Sequence, residues 1–189
     1  MKCPSCAHLL AAPEPRCPAC KLSLQKLDAK FGLVPRHSRY LSDRAGRLEL
    51  SEMEEVREAL RLFEKKFPQV LFSVFVTSLP GGSSVSEYAF WLANRARFNS
   101  IQKVRSENFD LLLVIDLGTN AAALTTGYAL ENYLSEDDLS AALAALRDGM
   151  RKGSLPDGIR ACIAFLTRHL RARSRQPAKA QRAVGEVAA

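Results

Sequence analysis

The sequence predicts a small layered α/β domain behind a short cysteine-bearing segment. Three observations lead there. Four of the five cysteines fall within the first 20 residues as two copies of Cys-Pro-x-Cys. Further along, apolar residues recur at helical spacing in some stretches and form short continuous runs in others, and the two kinds of stretch alternate. Right-handed crossovers between strands are then expected to put helices on both faces of a sheet.

At 189 residues the chain has room for one main domain and something small, and 47% hydrophobic with 25% charged residues excludes a wholly disordered polypeptide. The strongest apolar run, Leu111 to Ile115, is far shorter than the roughly 20 residues of a membrane helix. The opening Met1-Lys2-Cys3-Pro4-Ser5-Cys6 has no apolar core of a secretory signal, so a cytoplasmic protein is expected. The net charge of +7 is uneven: +5 over residues 1–49, −2 over 50–170 and +4 over 171–189. Basic ends can contact nucleic acid or anionic lipid. The plainer reading of the last segment is a solvated, disordered basic tail.

Cys3-Pro4-Ser5-Cys6 and Cys17-Pro18-Ala19-Cys20 each form a tight turn that aims two sulfurs at one point. Together they supply the four thiolates of a tetrahedral structural Zn²⁺ site. Proline after the first cysteine of each pair fixes φ and pre-shapes the turn. A segment of about 25 residues cannot bury enough apolar surface to fold alone, and metal binding would make up the difference. Paired disulfides fit a cytosolic chain poorly, and a redox Cys-x-x-C belongs at a helix start. His8 lies between the turns, but four sulfurs already close the shell. A closed site offers no open position for water or substrate. Cys162 falls on an apolar helical face and reads as a core thiol.

Leu22, Leu24 and Leu27 alternate loosely, which suggests a second short hairpin over the metal. Gly32 and Pro35 break the chain. The expected organisation is a zinc ribbon over 1–32, a linker over 33–39, an α/β domain over 40–170 and the tail over 171–189. Ser51 with Glu54 forms a capping-box pattern ahead of Met53, Val56, Leu60, Phe63 and Phe67, one face of a helix ending before Pro68. Val70 to Ser78 reads as a buried strand. Ser84 and Glu87 open a helix through Tyr88, Trp91, Leu92 and Ala96. Asp110 to Asp116 is a strand covered on both faces. Leu117-Gly118-Thr119-Asn120 turns the chain, and Ala121 to Thr126 returns antiparallel. Ser135 caps a helix carrying Leu139, Leu143, Leu146 and Met150. Pro156 sits in the first turn of a last helix with Ile159, Cys162, Ile163, Leu166 and Leu170 inward.

Residues 40–170 resemble the TPM-domain family. The resemblance rests on an ordered set of motifs: Tyr40-Leu41-Ser42-Asp43-Arg44-Ala45-Gly46, Ser86-Glu87-Tyr88-Ala89, Asp110 through Ile115, Thr125-Thr126-Gly127-Tyr128-Ala129-Leu130-Glu131, and Gly153 through Gly158-Ile159. It implies a three-layer α/β/α sandwich with a small mixed sheet. The family is similar across thylakoid-lumen and membrane-anchored bacterial proteins. Some members bind Ca²⁺, and phosphatase activity has been proposed for some. The sequence departs from the family pattern at Ala129, which replaces a glycine, and in an acidic cluster thinned to Asp116.

Asp43 and Glu131 match acidic family positions and are expected near strand ends, where open α/β sheets place ligands. With Asp116 they form the candidate Ca²⁺ set, though Ca²⁺ prefers six to eight oxygens. The plainer readings are a turn or cap for Asp43, a partner for backbone N–H groups or an arginine for Glu131, and a hairpin turn for Asp116. Gly81-Gly82-Ser83-Ser84 reads as a turn. Arg95, Arg97, Lys103 and Arg105 read as a solvated basic face. No G-x-S-x-G, H-E-x-x-H or D-x-D-x-[TV] motif is present, and the one Cys-x₅-Arg spacing, Cys162 to Arg168, falls in the middle of an expected helix. The three functional classes, in order of expectation, are a non-catalytic interaction or maintenance module with a protein partner, a metal-dependent phosphatase using an acidic strand-end pocket, and nucleic-acid binding through the ribbon and tail.

Overall fold

The structure is a computed structural model, and it describes residues 2–10, 14–96 and 109–174. Its elements, in chain order, are α1 (Leu24–Phe31), β1 (Leu41–Asp43), α2 (Leu50–Lys66), β2 (Leu71–Thr77), α3 (Val85–Arg95), β3 (Asp110–Asp116), β4 (Ala121–Thr126), α4 (Glu136–Lys152) and α5 (Leu155–Ser174). A 3-10 turn at Tyr128–Leu130 follows β4. The four strands lie in the order β1-β2-β3-β4. The first three are parallel and β4 runs antiparallel to β3. This is the mixed sheet of the expected α/β/α sandwich.

Every residue of β2 is buried, as is all of β3 but its first position. A strand buried on both faces needs a cover on each, and alternation assigns its residues to two cores. Phe72, Val74, Val76, Leu111, Leu113 and Ile115 point to the face covered by α2, α4 and α5. Phe75, Leu112 and Val114 point to the opposite face, under α1 and α3. Aromatic contacts fill both layers. Phe63 of α2 meets Phe72 edge-on at 5.3 Å, and Tyr88 of α3 meets Phe75 at 6.1 Å.

The two faces carry a topological consequence. From β1 to β2 to β3 the chain steps across the sheet in one direction, yet α2 and α3 lie on opposite faces. The two crossovers therefore have opposite hands. One of them breaks the right-handed preference, and the expectation that right-handed crossovers alone distribute the helices is corrected.

Several boundaries differ from the sequence reading, each for a local reason. The stretch expected as a second hairpin is helix α1, which Ser23 caps by accepting from the Lys26 N–H. Its buried Leu27 and partly buried Phe31 pack on Tyr88 and Trp91. β1 is only three residues long, too short to show an alternating pattern, and it is fixed by Leu41–Asp43 pairing with Val74–Val76. Helix α2 starts two residues early, with Glu49 as N-cap and its N–H donating to Glu52 at 2.9 Å. Helix α5 runs on through Arg171 and Arg173 to Ser174, so its last turn takes residues expected in the tail. The rest of that tail, and Arg97, Lys103 and Arg105 of the basic run, lie outside the described residues. Arg95 is a helix-end residue paired with Asp28 at 2.6 Å.

Helices α4 and α5 form a hairpin that depends on two glycines. A Cβ on Gly158 would stand 2.6 Å from the Leu146 carbonyl oxygen and would overlap Met150 Cγ. A Cβ on Gly149 would stand 2.8 Å from Gly158 Cα. Gly158→Ala is therefore expected to destabilise the protein by about 1–3 kcal/mol, the usual range for overpacking, read from urea denaturation.

Candidate metal centre

The two Cys-Pro-x-Cys turns adopt the same hydrogen-bonding pattern. In the first, the Cys3 N–H donates to the His8 carbonyl and the Ala7 N–H to the Cys3 carbonyl. In the second, the Cys17 N–H donates to the Leu22 carbonyl and the Lys21 N–H to the Cys17 carbonyl. The residue after each second cysteine is left-handed, Ala7 at φ 58° and Lys21 at φ 61°. The N–H groups of Ser5 and Cys6 point at the Cys3 sulfur, as those of Ala19 and Cys20 point at Cys17. Such donors favour thiolates and orient them toward a metal.

All four sulfurs lie within 4.8 Å of one another. Cys3 Sγ is 3.6 Å from Cys20 Sγ, and Cys6 Sγ is 3.7 Å from Cys17 Sγ. These distances exclude disulfides, whose sulfurs are about 2.05 Å apart. They fit a tetrahedron of metal–sulfur bonds near 2.3 Å, whose edge is about 3.8 Å. Among the described residues this is the one cluster of three or more His, Cys, Asp or Glu side chains within such reach. Without a cation the sulfurs compete. The Cys20 N–H, opposed in part by burial, helps hold Cys17 at about 6. The His8 N–H favours the Cys6 thiolate, but burial and the other three sulfurs push Cys6 up to about 12. A dication bound there would remove that conflict by letting all four ionise together.

The cysteine cluster is attached to the α/β domain at several points. Lys2 pairs with Glu136 at the start of α4. Ser5 donates to Glu87 in the first turn of α3, and Lys30 of α1 reaches the same carboxylate at 2.7 Å. Burial works against the Glu87 charge, yet Lys30 and Ser5 hold its carboxyl below the usual range. Behind the second turn, Asp28 accepts from Trp91 Nε1 at 3.0 Å and from Arg95 at 2.8 and 2.6 Å. The partners in α3 and α4 lie far away in sequence, and no pattern along the chain marks them.

The three acidic residues of the candidate Ca²⁺ set are not brought together. Asp43 closes β1, where its Oδ1 accepts from the Ala45 N–H at 3.0 Å and its Oδ2 from the Leu48 N–H at 2.7 Å. Asp116 closes β3 at the same edge of the sheet. Its Oδ1 accepts from the Leu79 and Gly118 N–H groups and its Oδ2 from the Thr119 hydroxyl at 2.6 Å. Both are turn residues of the kind their plainer readings describe. Because β4 runs antiparallel, the exposed Glu131 follows a strand that ends at the other edge, beside Asp110 and Leu111. Asp43 and Glu131 therefore do not share one strand-end pocket. Cys162 is fully buried, and that burial pushes its thiol up to about 12. His169, expected at a helix end, lies within α5 with Nε2 3.1 Å from Asp138 of α4.

The comparisons with known proteins agree with this architecture. The model of the TPM domain matches residues 41–168, and the chain belongs to that family. Three similar solved structures carry the fold. The N-terminal domain of a protein from P. gingivalis is 24% identical, with a TM-score of 0.59 over 71% of this chain and 83% of that one. BA42 protein from the psychrophilic Bizionia argentinensis is 14% identical, with a TM-score of 0.57 over 67% and 83%. The N-terminal domain of cg2496 protein from Corynebacterium glutamicum is 14% identical, with a TM-score of 0.51 over 68% and 77%. No curated protein matches the chain. None of the helices among the described residues is long and apolar enough to cross a membrane.

Burial would raise the Asp116 carboxyl, but the Thr119 hydroxyl and the N–H groups of Leu79, Gly118 and Thr119 outweigh it and hold the group below its usual value. Its folded pKa lies below the unfolded one, so its stabilisation is present above about pH 4 and is lost as pH falls through the folded value. Asp116→Ala leaves the Leu79 and Gly118 N–H groups and the Thr119 hydroxyl without their acceptor and is expected to cost about 1–3 kcal/mol at pH 7. The stability gap between the unmodified protein and Asp116→Asn is expected to narrow as pH drops below about 4, read from denaturant melts at each pH.

Proposed function

We propose that the chain is a zinc-bearing, non-catalytic interaction module of the TPM family. Its four thiolates, Cys3, Cys6, Cys17 and Cys20, hold a structural Zn²⁺ that shapes the N-terminal segment. The observation that carries the reading is the set of sulfur separations, 3.6 and 3.7 Å where measured pairwise, in a cluster that uses all four cysteines as ligands. Thiolate softness favours zinc over calcium or magnesium, and a four-sulfur shell leaves no ligand position for substrate. The metal would set the two turns, and the turns would present Lys2 and Ser5 to α4 and α3. Support for a binding role over a hydrolytic one comes from the acidic residues. Asp43 and Asp116 spend their oxygens on turn N–H and hydroxyl groups, and Glu131 stands at the opposite edge. The proposed partner is a protein, and the proposed compartment is the cytoplasm.

Elemental mass spectrometry of protein purified under reducing conditions tests the reading. One Zn²⁺ per chain is expected, unchanged by added Ca²⁺, and Cys17→Ser is expected to lose at least tenfold in zinc affinity. Chelation should lower the melting temperature of the full chain, because metal binding free energy is folding free energy here. Zinc-free protein, or stoichiometric Ca²⁺ that disappears in Asp43→Ala, would overturn it.

A further inference from the structure

A four-sulfur shell closes the metal to substrate, but it leaves the sulfurs themselves as reactive atoms. They are not equally covered. Cys3 and Cys17 are 4% and 5% exposed, Cys20 is half-buried and Cys6 is exposed. Holding two turns together requires no open sulfur. A sulfur bound to a metal keeps its thiolate character, and thiolate is the form that attacks electrophiles. Cys6 is thus an accessible nucleophile inside a closed coordination shell. Cys162, the fifth cysteine, is fully covered by the core and has no such access.

The sulfurs also stand in pairs that cross between the turns. Cys6 Sγ is 3.7 Å from Cys17 Sγ, and Cys3 Sγ is 3.6 Å from Cys20 Sγ. Each pair joins one residue of the first turn to one of the second. A sulfur oxidised at Cys6 therefore has a second thiolate in contact with it, and a modest approach of the turns closes the pair to the disulfide distance of about 2.05 Å.

We propose that the cysteine cluster is a redox switch, in which hydrogen peroxide oxidises Cys6 and Cys17 to a disulfide and the site gives up its metal. The proposal rests on the zinc reading above and adds a second, regulated state of the same site. The Cys6 thiolate attacks one peroxide oxygen, the O–O bond breaks, Cys6 becomes a sulfenic acid and hydroxide leaves. The Cys17 thiolate then attacks the Cys6 sulfur, the S–S bond forms, the S–O bond breaks and a second hydroxide leaves. Solvent protonates both hydroxides to water. The two sulfurs lose two electrons and the peroxide gains them. Cys3 and Cys20 remain, two sulfurs where a structural site uses four, and the metal is no longer held. A second peroxide closes Cys3 and Cys20 by the same route. A dithiol reductant reverses both bonds and restores the four ligands.

The test treats zinc-loaded full chain, freed of reductant, with less than one equivalent of hydrogen peroxide beside a chromogenic zinc chelator. Free thiols are then blocked with N-ethylmaleimide under acidic conditions and the chain is mapped by peptide mass spectrometry. Zinc release is expected to run about tenfold or more faster than with chelator alone. The first disulfide is expected to be Cys6–Cys17, with Cys3, Cys20 and Cys162 recovered as blocked thiols. With excess peroxide Cys3–Cys20 follows, and Cys162 stays reduced. Dimedone, which traps sulfenic acids, is expected to mark Cys6 ahead of the other cysteines. Dithiothreitol with Zn²⁺ should return the loaded chain. Zinc retained through excess peroxide overturns the switch and leaves the zinc reading standing. So does a first disulfide within one turn, dimedone labelling that begins at another cysteine, or oxidation that ends in sulfinic or sulfonic acid and is not reversed. A chain that takes up no Zn²⁺ overturns the zinc reading and the switch with it.

Discussion

The pairing of β2 with β3 is the constraint on which the rest of the protein depends. Seven consecutive register pairs, Leu71–Asp110 through Thr77–Asp116, join two strands that are apolar on both sides. Neither face can be left to water, so both require a helical layer. The face of Phe72, Val74 and Leu113 is closed by α2 with the α4–α5 hairpin. The face of Phe75, Leu112 and Val114 is closed by α3, and α1 completes the cover around Tyr88 and Trp91. The demand for two layers outweighs the handedness preference, and the crossovers to α2 and α3 differ in hand as a result.

The N-terminal segment is continuous with this layering. Helix α1 directly follows the second cysteine turn, and Asp28 on it is held by Trp91 and Arg95. At the other side, Glu87 collects Lys30 from α1 and Ser5 from the first turn. Exposed ion pairs alone contribute little, about 0–1 kcal/mol each. The orienting force is better assigned to burial of Leu27 and Phe31 under α3, with the polar contacts setting register. A metal held by the four sulfurs would fix the two turns and with them one wall of the groove beside β4, which Lys2, Cys3, Pro4 and Ser5 line.

Much of the architecture was legible in the residues. β3 and β4 have the bounds their apolar run and turn imply, because a run of Leu111–Ile115 between Asp110 and Asp116 admits few other placements. Asn120, at φ 52°, supplies the left-handed residue of the intervening turn. The caps Ser84 and Ser135 hold where they are expected, each accepting from the N–H three residues on. Less legible were the segments whose structure is imposed from outside. Leu24, Leu27 and Phe31 stand at helical spacing behind the Ser23 cap, but over eight residues the Leu22–Leu24 alternation competes with it, and α1 is fixed by Phe31 meeting Tyr88 at 5.0 Å and Trp91 at 5.3 Å. β1 is a strand because β2 offers it an edge.

The candidate site divides in the same way. The sequence by itself determined which residues are able to hold a metal. Two short turns with proline and paired cysteines have one geometry that serves them, and local hydrogen bonds are enough to build it. It also determined the strands and caps whose information is local. Tertiary structure alone decided where the carboxylates stand. Asp43 and Asp116 look equivalent to Glu131 in sequence, but the reversal of β4 sends Glu131 to the opposite edge of the sheet. Tertiary structure likewise decided that β4 is one of the two outer described strands and that Ala122, Leu124 and Thr126 turn their backbone groups away from β3. The physical reason is that strand direction and pairing order depend on contacts between distant residues, and a local pattern carries no record of them.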